Sequence, residues 1–309
     1  MNYREMRARL ISSYGRFVFF PDDPEVSKIV STKAFTHLII DDDIVVYAYP
    51  LMEEQLEEEL KENYEVVYES PKFEGKYFVS PYTRQINLSF KYLNGGEILK
   101  HALRKPFEEE IEILKKMNEM INFALGEFWN EISIGMKLME IKAILECKML
   151  KAGIESFLHP TIVTMGKKGK YPMPHTHRGK VERDGILYID STPIFQGYPM
   201  NFSRVIFTGE RREWIDALNR INRMYETLVN FVESGVSCNL LDEKIRSIGD
   251  FPHYSVVPSG GFYQPFAPGD CILEENTLMT IVPSIYLEEG VIRVKRNLLV
   301  RKRGVEFLI

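Results

Sequence analysis

From Thr161 onward the chain is written in short β-rich runs. TIVTMG (161–166), GILYIDSTPIF (185–195), SRVIFTG (203–209), TLMTIVPSIY (277–286), VIRVKRNLLV (291–300) and VEFLI (305–309) are dense in branched and aromatic residues. A single long helical pattern, REWIDALNRINRMYETLVNFVESG (212–235), lies among them. Two helical segments precede the runs. In the first, Phe107, Ile111, Leu114, Met117, Ile121, Leu125 and Phe128 recur at helical spacing and form one apolar face, and EFWNEISIG closes it at Gly135. The Met and Phe residues of this face read as core, not as ligands. The second, LMEIKAILECKMLKAG (138–153), stops at Gly153, a residue suited to a helix C-terminus. Two helices, strands, one helix and more strands predict an α+β domain with a curved antiparallel sheet.

Residues 16–103 have another rhythm. RFVFF is a short apolar run, and HLIIDDDIVVYAYP reads as two strands around an Asp turn. LMEEQLEEELKEN is a charged amphipathic helix, YEVVYES a strand, and GGEILKHALR a closing helix. Together they predict a small α/β domain over 1–104, followed by the larger domain over 105–309, with the boundary in LRKP near Pro106. Two domains suit 309 residues at roughly 150 per domain.

The formal net charge of -5, with no basic block, gives no ground for a nucleic-acid surface. The first 17 residues are charged, without an apolar core of signal-peptide type, and no segment approaches roughly 20 apolar residues. Cys147, Cys238 and Cys271 are odd in number and far apart, so three reduced thiols in a cytoplasmic protein are expected.

Chemistry gathers around YIDSTPIFQGYPMNFSR (188–204), where Asp190 ends an apolar run and Asn201 follows eleven positions later. Further landmarks occur in order: Gly135 with Glu140, TIVTMG, Pro174-His175, DGILYID, GYPMNFSR, TIVPSIY (280–286) and IRVKRNLLV (292–300). In this order they resemble the pita-bread metallopeptidases, which comprise Xaa-Pro dipeptidases, Xaa-Pro aminopeptidases and methionine aminopeptidases. The resemblance spans about 104–309, and the preceding domain is similar to a shortened N-terminal domain of the Xaa-Pro branch.

That resemblance implies a pita-bread C-terminal domain and a dinuclear site for Mn, Co or Zn, built from two Asp, one His and two Glu. Such metals lower the pKa of a shared water to make a nucleophile. Carried over by position, Asp190 alone is kept. Asn201 stands for the second Asp, Val282 for the first Glu and Lys295 for the second. The His position falls on Val257 in one alignment and on His253 in another, and both stay open. Neither set supports a metal cofactor, since two cations would face one carboxylate and a repelling ammonium. Lys295 is instead expected to pair with Asp190, because a buried carboxylate without a partner is costly.

The resemblance further makes His175 and His253 the candidate catalytic residues. Creatinase, a metal-free member of the fold, uses a histidine base near the position of His175. It also uses glutamates where this chain has Val282 and Pro265. Tyr198, Arg204 and Gln264 are candidates to line the cleft, with Arg204 more often an anchor for a carboxylate or carbonyl. The Ser259–Tyr263 run is a glycine-rich loop that also serves as a tight connection. The expected function is an Xaa-Pro peptidase-like protein that binds a peptide or protein in place of hydrolysing one. A metal-independent hydrolase, an Xaa-Pro peptidase with an unusual metal site and a silent half of a hetero-oligomer are the alternatives. The Xaa-Pro resemblance makes a homodimer the expected assembly.

Overall fold

In this computed structural model, the structure describes residues 2–308 except 82, 85–87, 104, 172–173, 177, 248–255 and 259–271, and of 97, 100, 101 and 256–258 the backbone. The chain divides into two units, Met1–Glu110 and Ile111–Ile309. The division falls six residues beyond the expected 104/105 boundary. The reason is local: the buried Arg7 guanidinium bonds the carbonyls of Ala102 and Lys105 and the Glu110 carboxylate, so the first turn of the following helix stays with the N-terminal unit.

The N-terminal unit holds helices α1 (Tyr3–Ser12), α2 (Glu53–Glu59) and α3 (Gly96–Ala102). Its strands are β1 (Phe17–Phe19), β2 (His37–Ile40), β3 (Ile44–Tyr47), β4 (Glu65–Val67), β5 (Lys76–Val79) and β6 (Lys91–Asn94). They form one mixed sheet in the order β4-β3-β2-β1-β5-β6. The three-Asp run is a turn: Asp41 N–H donates to Asp43 O at 3.0 Å, between β2 and β3 paired from His37–Tyr47 to Ile40–Ile44.

The second unit opens with α4 (Glu108–Phe128) and α5 (Leu138–Lys151). From Ile111 to Phe128 the apolar face expected from the spacing is buried, together with Leu138, Ile141, Leu145 and Met149 of α5. Gly135 and Gly153 both have positive φ, +88° and +109°, which suits glycine at these stops. The β-rich runs become β7 (Ser156–Phe157), β8 (Ile162–Met165), β9 (Ile186–Ser191), β10 (Pro193–Phe195), β11 (Tyr198–Pro199) and β12 (Phe202–Phe207). After α6 (Arg212–Phe231) and α7 (Cys238–Arg246) come β13 (Val256–Pro258), β14 (Leu278–Ile281), β15 (Ser284–Tyr286), β16 (Val291–Arg293), β17 (Arg296–Val300) and β18 (Val305–Phe307). All their pairings are antiparallel, in sheets ordered β12-β9-β8, β13-β14-β17-β18, β11-β10-β7 and β15-β16.

Two cores hold this unit. Leu187 and Ile189 of β9 pack with α4 and α5, while Trp214, Ile221, Met224 and Leu228 of α6 pack with Met279, Ile281, Ile292 and Leu298. Alternation along β9 therefore turns Tyr188 and Asp190 to the face away from α4 and α5.

The thiol expectation needs one correction. Cys147 is free, but Cys238 is disulfide-bonded. Linear spacing hid this; an antiparallel bridge between Ser237 and Ile272 joins stretches far apart in sequence. Among the described residues no helix is long and apolar enough to cross a membrane.

Candidate functional site

Asp190 lies near the end of β9, flanked by Ile162 of β8 and Ser203 of β12 in register. Its side chain is 5% exposed. Lys295 sits between β16 and β17, and its Nζ lies 2.7 Å from Asp190 Oδ2 and 2.9 Å from Oδ1. The expected pairing is present, and one ammonium engages both carboxylate oxygens. The Lys295 backbone is fixed as well. Its N–H donates to Ser203 Oγ at 2.8 Å, and the Ser203 hydroxyl donates to Arg293 O at 3.0 Å. A residue opposite Asp190 in the β9–β12 ladder thus locks the loop that carries its counter-charge.

A second cation completes the site, and sequence reasoning missed it. Arg293 is buried and donates from Nε to Ser284 Oγ at 2.8 Å, from Nη2 to Tyr286 Oη at 2.7 Å and from Nη1 to Tyr188 Oη at 3.4 Å. The Tyr188 hydroxyl in turn donates to Asp190 Oδ2. Burial first, and then the Asp190 charge, push the Tyr188 phenol well above its usual value, so it stays a donor. Two signals were available: Tyr188 is two residues before Asp190 on one strand and so shares its face, and Arg293 is two before Lys295. What linear order did not reveal is that the β15–β16 hairpin pairs Ser284 with Arg293.

Asn201 belongs to a neighbouring network. Its Oδ1 accepts from Thr192 Oγ1 at 2.7 Å, and its backbone carbonyl accepts from Asn297 Nδ2 at 2.5 Å. Thr192 Oγ1 also lies 2.8 Å from His159 Nε2. The other ring nitrogen, His159 Nδ1, lies 3.3 Å from the carbonyl of Pro160. Thr280 Oγ1 donates to Asn297 Oδ1 at 2.8 Å. Val282 contributes a half-buried aliphatic side chain without a lone pair. Val257 lies on β13 opposite Thr280. His253 and Gln264 fall outside the described residues.

The other candidates are dispersed. His175 is exposed. Tyr198 is 2% exposed and packs in the α4–α5 core, so it supports the sheet and does not line a cleft. Arg204 alternates with Ser203 along β12 and so faces away from Asp190. Its Nη1 donates to Ser203 O at 2.9 Å, an anchor on a carbonyl.

The described residues do not fit a dinuclear metal. Both Asp190 oxygens are engaged by an ammonium, and the side-chain oxygen of Asn201 by a hydroxyl. Among the described residues no group of three or more His, Cys, Asp or Glu could hold a metal ion. The arrangement can neutralise and hold one carboxylate; among the described residues it presents no base beside a nucleophile.

Comparison with known proteins places this geometry. The model of metallopeptidase family M24 matches residues 112–302. The chain is 27% identical over 212 residues to an Xaa-Pro dipeptidase of Pyrococcus horikoshii, covering 64% of this chain and 60% of that protein. It is 25% identical over 220 residues to one of Pyrococcus furiosus, covering 65% and 62%. The match thus takes in less than two thirds of each relative's length. Among solved structures, an X-Pro aminopeptidase of Thermotoga maritima superposes with a TM-score of 0.83 at 21% identity, over 98% of this chain and 97% of that one. The prolidase of Pyrococcus furiosus gives 0.82 at 21% identity, over 97% and 98%. At this identity the structural likeness shows the fold, that of pita-bread peptidases behind a small N-terminal domain.

Proposed function

The chain belongs to metallopeptidase family M24, and from that premise we propose that it is a non-hydrolytic relative of the Xaa-Pro peptidases, which has lost the dinuclear metal and binds a peptide or protein in the former cleft. One observation carries this reading: Lys295 Nζ within 2.9 Å of both oxygens of Asp190. A metal ion at Asp190 would have to displace a bonded ammonium and then sit beside it. Coulomb repulsion between a divalent ion and an ammonium about 4 Å apart is about 8 kcal/mol even at an effective dielectric of 20. The family chemistry needs a metal to activate water, and no described side chain replaces that function.

The creatinase-like alternative has less support, since His175 is exposed and Val282 offers no acid–base group. A homodimer and a cytoplasmic location belong to the same proposal. The location has to accommodate the Cys238 disulfide, which persists inside hyperthermophile cells and is rare in mesophile cytosol.

The test is hydrolysis of Xaa-Pro dipeptides with Mn(II), Co(II) or Zn(II) added separately, beside calorimetric titration of the same peptides. The expected result is no turnover above a protein-free control with any metal, and heat of binding for at least one peptide. Metal-dependent turnover would overturn the loss of hydrolysis. Silence in both assays would remove the Xaa-Pro peptide as occupant and turn the search to protein partners.

A further inference from the structure

At the other end of the β8–β9 ladder lies a pocket of about 450 Å³ that none of the site chemistry uses. Its floor at Gly185 is five residues before Asp190, roughly 16 Å away along an extended strand. The size is that of a small-molecule site.

Its charge is positive on balance once neighbouring groups are counted. Four cations line it, Lys167, Lys168, Arg178 and Lys180, against Glu182, Asp184 and Glu289. Two of those acids are already taken from outside the lining. Arg211 donates to Asp184 from Nε at 3.0 Å and 3.1 Å and from Nη2 at 2.5 Å, and to Glu289 Oε1 from Nη1 at 2.8 Å. The hydrogen bond from Arg211 holds the Asp184 carboxyl below its usual value, which keeps it ionised and matched to that guanidinium. Lys167 has a loose partner in Glu288 at 3.6 Å. Lys168, Arg178 and Lys180 are in no salt bridge among the described residues; Glu182 stands against them, so with Arg211 and Glu288 counted the pocket keeps a net charge of about one positive unit.

The walls are built on main chain. Gly135 N–H donates to Val181 O at 2.8 Å, Leu138 N–H donates to Gly179 O at 3.0 Å, and a bridge joins Lys137 to Lys180. Opposite, Gly166 opens a 3-10 turn (Gly166–Lys170) with φ +65°. Gly185 lets Met165 close down, since a Cβ there would collide with Met165 Cε. Among the described residues Met165 is the one large apolar side chain of the lining, and none of them offers a ring a stacking surface.

We propose that this pocket binds a compact multivalent oxyanion, a small ligand bearing a phosphate, a diphosphate or a cluster of carboxylates, held by Lys168, Arg178 and Lys180. The planar Arg178 fork matches two oxygens of such a group, and the two ammoniums act as point charges around it. The site is separate from Asp190 and stands whether or not hydrolysis is lost.

The experiment is isothermal titration of the full chain with inorganic pyrophosphate and, separately, with citrate. The parent is compared with a Lys168→Ala, Arg178→Ala, Lys180→Ala variant. These side chains are exposed, so the unliganded melting temperature of the variant should match the parent. Saturable binding to the parent, weakened about tenfold or more in the variant, is the expected result; tenfold corresponds to about 1.4 kcal/mol. Which probe binds tells phosphate from carboxylate chemistry. Equal binding to parent and variant, or no binding of either probe to the parent, would overturn the assignment.

Discussion

Replacing Lys295 with Met is expected to lower the free energy of unfolding by about 3 kcal/mol. Breaking a buried pair by removing one partner costs roughly 3–5 kcal/mol, because the survivor is left charged and without compensation. The lower end applies here for two reasons. The Lys295 side chain is 17% exposed, and Asp190 keeps the hydroxyl of Tyr188. Adding Asp190→Asn to Lys295→Met removes the orphaned charge while leaving an acceptor for Tyr188. The double variant should recover most of the loss. Urea unfolding of the parent, both single variants and the double variant gives the coupling directly. A Lys295→Met variant as stable as the parent would mean that the ion pair contributes nothing.

The second large effect lies in the N-terminal unit. Arg7→Met should cost about 3–5 kcal/mol, the full range for a buried pair. Arg7 and Glu110 are 2% and 1% exposed, and the guanidinium also bonds Ala102 O at 2.6 Å and Lys105 O at 2.9 Å. The variant removes the donor of two carbonyls and the counter-charge of Glu110, whose carboxylate keeps the Phe107 N–H at 2.6 Å. Lys28 is buried within electrostatic reach, and burial pushes its ammonium down to about 8. Removing Arg7 lifts a repulsion from Lys28, which offsets part of the loss without replacing the hydrogen bonds. Hydrogen exchange should show α1 and α3 opening first. Unchanged protection in both helices would contradict this role for Arg7.

Much of the fold was legible because periodicity survives any tertiary context. The α4 stripe from Ile111 to Phe128 is buried as its spacing predicts. The β2–β3 hairpin turns at its three Asp residues. The Asp190–Lys295 contact followed from the family resemblance together with the rule that a buried carboxylate needs a partner. The meeting of Arg293 and Tyr188 was not legible, because it depends on how the β15–β16 hairpin folds against β9. Tyr198 was misplaced for a related reason: its neighbours in sequence lie near Asp190, but its ring points into the α4–α5 core. The Cys238 disulfide escaped notice because three cysteines far apart in sequence carry no pairing signal.

The central claim is that Asp190 belongs to Lys295 and not to a metal. Its most direct test is to load the purified chain with Mn(II), Co(II) or Zn(II) in turn, dialyse, and read bound metal by elemental analysis beside the melting temperature. A metal that binds the folded state must raise apparent stability by mass action. The account predicts metal content near zero and an unchanged melting temperature for all three ions. Two metal ions per chain with a raised melting temperature would contradict it, and would mean that Lys295 leaves Asp190 when metal is present.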